Sequence, residues 1–535
     1  MILKKYCQKG IGLLLVLVLL FSAQPALAYN DEEDYVMQDE NLLVREQLEA
    51  EAEAQALEEE NSIEALNATA AYSLKIAKAD GTFTNVQTCS SFTDAVSKMK
   101  AHKDANAVVI SSAQRNNGVV AMKDGIAIGR PDGNVTINLY MSGVSSAYTY
   151  ITRRHDLFYK ETISDSRVKI MISGFEGEAN LVDVMLIPRV QVKGQSYYLV
   201  DGDGDIIHYI GQTLTDRSVN YWSYTFDKAP NFMQQGKKYY SPDGNRFYTD
   251  PQLKSYAGQH YQYYNYLPYR TKTNYTAAEI QTYLNALNEP KSVLHGNAQA
   301  FIDAQNKYGA NALLLLCTAF LESAYGTSNF AVERNNIFGI EAYDSDPNRA
   351  TYFDSVADCV NEMAYRWVSS GYTDANTDFR YHGANVGTKG QGFNVKYASD
   401  PYWGQKIAGL YYKFDRYTGY KDLNQYTIAR SNKIDYVRFQ PNATAKALYK
   451  LSMRDYDYPT GIPVVILDAG NSTYYRIQSD VPVDGSGATN SGWLYDYNKS
   501  QGYILKSSVD IVCGGLSGIV ERNAGDNRYE TASII

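Results

Sequence analysis

Cysteine, histidine and tryptophan are scarce in this chain, with 5, 6 and 4 copies among 535 residues, and each scarcity closes off a class of chemistry. Cys7 falls in an N-terminal leader, which leaves Cys89, Cys317, Cys359 and Cys513, too few and too widely spaced for a disulfide framework. Cys317 and Cys359 share one predicted domain, where two buried thiols are expected in preference to a bridge. The histidines at 102, 155, 208, 260, 295 and 382 stand apart, and no cysteine pair has zinc-ligand spacing, so neither a metal nor a cofactor is expected. No Gly-x-Ser-x-Gly segment is present and Cys317 lies inside an apolar run, which argues against a serine or cysteine nucleophile. Beyond the leader, no stretch approaches the roughly 20 apolar residues of a membrane span. The formal charge is -9, but residues 31 to 64 hold 14 acidic side chains against the single base Arg45. The rest is close to neutral, so nucleic acid is not an expected partner.

What is there begins with Lys4, Lys5 and Lys9, an apolar run from Ile11 to Phe21, and Ala26-Leu27-Ala28. This fits a secretory signal over residues 1–28. An acidic low-complexity linker comes next over 29–70, of a composition that repels itself and stays solvated. Short β-prone runs such as Val135-Thr136-Ile137-Asn138-Leu139-Tyr140 predict a β-rich or α+β module over 71–211, with one helical piece at Phe92 to Met99. Asp201-Gly202-Asp203-Gly204-Asp205 resembles a calcium loop, yet Ile206 and Gln212 stand where that loop needs Gly and Glu, so a hairpin turn is expected. Residues 212–274 form a tyrosine-rich β connector. The chain holds 48 Tyr, whose rings suit both strands and contact with sugar faces.

Helical signals occupy 275–418. Thr276 and Glu279 make a capping box, and helices are expected over about 276–287, 296–308, 310–325, 355–369 and 401–417. From Ala312 to Leu321 the third contains no charge, and then comes Glu322. At helical spacing Glu322 shares a face with Leu315, Thr318 and Ala319, and a stop at Gly326 would place it in the last turn, at the negative end of the helix dipole. Both effects favour a protonated carboxyl, the form a glycosidase needs to protonate a leaving sugar oxygen. Taken alone, a glutamate near a helix end is more often a surface group.

The neighbouring segments decide between these readings. Ala319 to Ser328, Asn335-Asn336-Ile337-Phe338-Gly339-Ile340, Ala342-Tyr343-Asp344-Ser345-Asp346-Pro347 and Tyr397-Ala398-Ser399-Asp400-Pro401-Tyr402-Trp403 together resemble the glucosaminidase domain of bacterial autolysins, glycoside hydrolase family 73. The resemblance implies a mainly helical, lysozyme-like catalytic domain, which with β-rich flanks makes the fold class multidomain α+β. It implies hydrolysis of the β-1,4 bond between N-acetylglucosamine and N-acetylmuramic acid in peptidoglycan glycan strands. It maps the family's general acid onto Glu322 and a second important residue onto Tyr397. Asn336, Tyr343, Asp344, Tyr402 and Trp403 are candidate substrate contacts, although Trp403 also suits the core and Asn336 a turn. The second catalytic group stays open among Glu341, Asp344, Asp346 and Asp354, or the substrate's own 2-acetamido oxygen oriented by Tyr397.

Residues 437–512 have the texture of an SH3-like β module, expected as a small barrel. The stretch from Val520 to Ala532 looks like the opening of a type-2 cell-wall-binding repeat, so 514–535 reads as the truncated start of one, which if complete would bind a wall polymer. The expected protein is a secreted, wall-associated hydrolase of a Gram-positive bacterium. Its rivals are a muramidase or lytic transglycosylase on the same fold, and a wall-bound adhesin or scaffold without activity.

Overall fold

The computed structural model describes residues 71–514 apart from 115, 116, 217, 219, 288, 341–350, 453–460, 490 and 491. The expected leader, acidic linker and repeat from 515 onward lie outside the described residues, as do Glu341, Tyr343, Asp344 and Asp346.

β-Branched and aromatic runs build the first part of the chain. In Arg167–Ile172 the side chains of Val168, Ile170 and Ile172 are buried while the alternate positions are half-buried, the period-two pattern of a strand with one face on a core. Two sheets share that core. One is four-stranded, in the order Phe83–Cys89, Tyr72–Ala77, Ala107–Ser111, Val119–Met122. Helix α1 (Phe92–Ala101) packs on it, capped by Ser91 and burying Ala95 and Met99. The other is seven-stranded, runs from Gly125 to Pro188 and has Ala147–Thr152 at one edge.

Asp205–Gly211 pairs with Tyr197–Val200 on one side and with Tyr221–Lys228 on the other, so the first two strands belong to the next sheet, and the expected border at 211 falls too late. The turn between them is the expected hairpin: Asp201 Oδ1 accepts the backbone N–H groups of Asp203 and Asp205, both at 2.9 Å. Lys238–Tyr239 and Arg246–Tyr248 meet through one bridge, Tyr240 with Tyr248, and otherwise pair elsewhere.

The tyrosine-rich connector divides. Tyr198, Phe226, Tyr239 and Phe247 form a small core of their own, whereas Tyr261, Tyr263, Tyr264, Tyr266, Tyr269 and Tyr275 are buried in the core of the helical region. That region contains α2 (Ala277–Ala286), α3 (Ala298–Tyr308), α4 (Ala312–Glu322), α5 (Asn329–Arg334), α6 (Val356–Glu362) and α7 (Trp403–Thr418). The capping box of α2 is present, with Thr276 accepting from Glu279 N at 3.3 Å and Glu279 accepting from Thr276 N at 3.0 Å. The helix expected over 355–369 is α-helical only to Glu362 and widens into π-helical turns over Met363–Tyr372.

The final sheet is seven-stranded and antiparallel, and its first strand, Thr427–Ser431, pairs with its last, Val509–Cys513. It starts about ten residues before the expected border at 437, because Thr427–Ser431 is completed by partners more than 30 residues away. Val512 and Cys513 reach back into the helical core. All four cysteines outside the leader are free and buried.

Candidate active site

Helix α4 begins on Asn311, whose side chain accepts the N–H groups of Leu313 and Leu314 at 3.0 Å each. Every side chain from Ala312 to Phe320 is buried, among them Leu315, Thr318 and Ala319 on the face expected beneath Glu322. The helix stops at Glu322. Ser323 turns its hydroxyl back onto the carbonyl of Ala319 at 2.5 Å, and Ala324, Tyr325 and Gly326 all take left-handed backbone, with φ of 49°, 60° and 79°. Two non-glycine residues in that region cost on the order of 1 kcal/mol each. Tyr325 N donates to Phe320 O at 2.9 Å and Gly326 N to Ser323 Oγ at 2.9 Å, which offsets part of that strain. Gly326 is required on a second count: a Cβ there would lie 2.7 Å from Ser292 Oγ and 2.8 Å from Leu294 Cγ.

The half-buried Glu322 carboxyl faces the start of α7. Trp403 Nε1–H donates to Glu322 Oε1 at 2.6 Å. Gly404 lets this helix end press inward, since a Cβ would lie 2.1 Å from the carbonyl oxygen of Gly387. Burial pushes the Glu322 carboxyl up to about 7; the Trp403 N–H opposes the rise and the negative charge of Asp400 adds to it. Burial also acts on Asp400, but the ion pair with Lys406, His155 and the Tyr402 backbone N–H together outweigh that and hold it below the ordinary carboxylate range. The two carboxyls are therefore driven apart, one keeping its proton up to about pH 7 and the other ionised well below that, the pattern that separates an acid from a permanent anion.

Tyr397 lies over Trp403, with ring centroids 4.6 Å apart, and its other neighbours are Tyr372 and Trp367 at 5.7 and 6.2 Å. Burial and the nearby Glu322 raise its hydroxyl well above the usual phenol range, so it remains a proton donor. That hydroxyl makes no hydrogen bond to any described residue, whereas the loop carrying it is held on several sides. Phe393 is buried in the helical core and Val395 in the N-terminal β core. The edge strand Ala147–Thr152 grips the loop from Val395 to Ser399: Thr149 Oγ1 donates to Val395 O at 2.7 Å, Tyr150 OH to Lys396 O at 3.2 Å and Thr152 N to Ser399 O at 2.9 Å. From within, the buried Lys389 donates through Nζ to the carbonyls of Asn394 and Ala398, which bracket Tyr397. Burial lowers the Lys389 ammonium to about 7. Among the described residues no group of His, Cys, Asp and Glu is placed to hold a metal ion.

Residues 298–416 match the family described as glucosaminidase, mannosyl-glycoprotein endo-beta-N-acetylglucosaminidase. This region is a glucosaminidase-family domain. A putative endo-beta-N-acetylglucosaminidase of Streptococcus pneumoniae is 32% identical over 302 residues, covering 54% of this chain and 40% of that protein. The bifunctional autolysin of Staphylococcus aureus is 23% identical over 331 residues, covering 52% of this chain and 25% of that protein. The chain thus spans less than half the length of these curated relatives, and both alignments run well beyond the domain itself. The crystal structure of S. aureus autolysin E with a muropeptide overlaps with a TM-score of 0.25 at 24% identity, over 29% of this chain and 73% of that one, too slight an overlap to bear on the site.

Within the glucosaminidase domain, the structure brings Glu322, Tyr397 and Trp403 together and places other expected contacts elsewhere. Trp403 is buried and offers the carboxylate its N–H edge, not an open ring face for a sugar. Tyr402 is buried too, edge-on to His208 at 4.5 Å and His155 at 5.5 Å, so it ties the domain to the β modules and does not form a stacking platform. Asn336 is 1% exposed and its amide is used within its own loop, donating to Ile340 O and Thr351 O and accepting from Ile340 N at 2.9 Å. It shapes the loop. Asp354 is exposed, and the charge felt at Glu322 is that of Asp400. Asp400 sits inside one of the matched segments, but only the fold joins it to Lys406 and brings its charge within range of Glu322.

Proposed function

We propose that this chain is a secreted peptidoglycan hydrolase of a Gram-positive bacterium, an endo-β-N-acetylglucosaminidase that cleaves the β-1,4 bond between N-acetylglucosamine and N-acetylmuramic acid. One observation carries the reading: a carboxyl at the end of an apolar helix, raised to about 7 and oriented by one indole N–H. Such a group is protonated at the pH where it must give its proton to the leaving glycosidic oxygen. Tyr397, with an unengaged hydroxyl in the same aromatic cluster, acts on the developing charge or on the substrate's acetamido group. The family match and the names of the relatives support the same bond class, and the leader motif supports export.

Mass spectrometry of fragments released from purified cell walls tests the reading. N-acetylglucosamine at the reducing end is the expected product. Reducing N-acetylmuramic acid or an anhydro sugar would instead assign a muramidase or lytic transglycosylase.

Replacing Trp403 by Phe keeps the ring packing and deletes the donor to Glu322. The ionised carboxyl loses the one stabilising hydrogen bond it has from the described residues, so its pKa rises further. The alkaline limb of the pH–kcat profile should move up by about half a unit to one unit, while kcat falls severalfold through looser orientation. A profile that stays in place would mean that the indole does not set the acid's titration.

A further inference from the structure

A cavity of about 370 Å³ opens where four parts of the chain meet, and neither Glu322 nor Tyr397 lines it. Its walls come from the seven-stranded N-terminal sheet (Tyr148, Phe175), the small β module with the tyrosine segment that follows it into the helical core (Asn245, Tyr261), the loop ahead of Tyr397 (Gln391) and the first strand of the final sheet (Arg430). Two of these groups are unpaired. Gln391 is 4% exposed, yet neither its Oε1 nor its Nε2 has a hydrogen-bond partner. Its backbone is held, with its carbonyl accepting from Thr388 N at 2.7 Å. A buried amide without partners is costly, and native proteins rarely keep one without a use.

Arg430 is half-buried and makes no side-chain hydrogen bond or close ion pair with any described residue; its guanidinium lies 5.9 Å from the Tyr261 ring and feels Asp510 and Asp243 only at longer range. The other charges on the wall are already matched, Arg246 with Asp243 at 2.7 Å and Glu176 with Lys160 and Lys169 at 3.3 Å each. What remains unpaired is one planar cation, one amide offering both a donor and an acceptor, and aromatic surface. Tyr148 and Phe175 contribute the last, stacked at 5.3 Å and 13°.

We propose that this cavity is a second binding site, separate from the cleavage site, for a ligand that carries a carboxylate beside an amide. The guanidinium takes the carboxylate in bidentate fashion, the Gln391 amide pairs with the ligand's amide through its own donor and acceptor, and the rings cover the apolar remainder. Both an acylated peptide C-terminus and an acidic N-acetyl sugar have this chemistry.

The test uses the full chain with ¹³C-methyl methionine labelling, because Met141 and Met171 line the cavity. N-acetyl-alanyl-alanine in its L,L and D,D forms and N-acetylmuramic acid are titrated in. The C-terminal amide of the dipeptide and N-acetylglucosamine are the probes without a carboxylate. At least one carboxylate probe should shift a cavity methyl saturably while its uncharged counterpart does not, and the responding probe tells peptide from sugar. Arg430→Gln and Gln391→Leu should each weaken that binding about tenfold or more. If neither class of carboxylate moves the methyls of the unmodified protein, or if the uncharged probes bind equally well, the assignment is overturned. The methyl readout needs neither variant to fold and does not depend on cleavage.

Discussion

Glu322→Gln is expected to lower glycan cleavage by about 10³-fold or more and to leave wall binding and the fold intact. Removal of a positioned general acid typically costs 10² to 10⁴ in rate, and here the isosteric amide can still accept the Trp403 N–H. Release of reducing ends from purified walls checks the rate, and sedimentation with insoluble walls checks binding. Unchanged lysis would remove Glu322 from the mechanism. The same variant has a second signature. The Glu322 carboxyl titrates near 7 in the folded protein against about 4.3 in an unfolded chain. A carboxyl with a raised folded pKa contributes stability that is full below about 4.3 and is lost as pH rises through 7. Glutamine stays neutral throughout. The variant should therefore melt level with the parent at pH 4 and above it at pH 8, whereas equal melting at both would mean that the carboxyl is not desolvated.

The second large effect concerns stability. Arg270 is fully buried and donates to Asp480 O at 2.7 Å, Tyr308 O at 2.6 Å, Ser369 Oγ at 3.1 Å, Ser369 O at 3.2 Å and Thr373 Oγ1 at 2.7 Å. Its guanidinium also lies 4.4 Å from the Tyr495 ring. One planar cation thus satisfies the end of α3, the π-helical segment and the final sheet together. Arg270→Met should cost about 3 to 5 kcal/mol, because it takes a charged donor away from several buried oxygens at once. Arg270→Lys should recover only part, since a single ammonium cannot span the fork. Denaturant unfolding measures the loss, and limited proteolysis should release the 427–513 sheet early. A loss below about 1 kcal/mol would show that water can take over these contacts.

What can be read in the sequence comes from local rules. Glu322 is visible because an uncharged run, one carboxylate and a glycine stop lie within 15 residues, and the α2 capping box because its two members are three apart. Trp403 can be proposed as a site residue, but not in its actual role, since its N–H reaches a carboxylate 81 positions earlier. Tyr402 reads as a sugar contact because the histidines it packs against belong to segments nearly 200 or more residues away. Module borders fail for the same reason. Composition distinguishes strand from helix, but it does not say that Tyr261 to Tyr275 lie in the helical core or that Thr427 opens the last sheet. Arg270, inside a stretch that reads as tyrosine-rich connector, carries no sequence signal of its distant acceptors.

The three-residue turn Phe393–Val395, with one side chain in the helical core and another in the N-terminal β core, bears on how such a chain can be inherited. A recombination event that swapped residues 298–416 alone would bring in a Val395 with no socket and leave Tyr397 without the strand that steadies it. A transplant that keeps Tyr397 seated would have to carry the β modules ahead of the enzyme domain along with it.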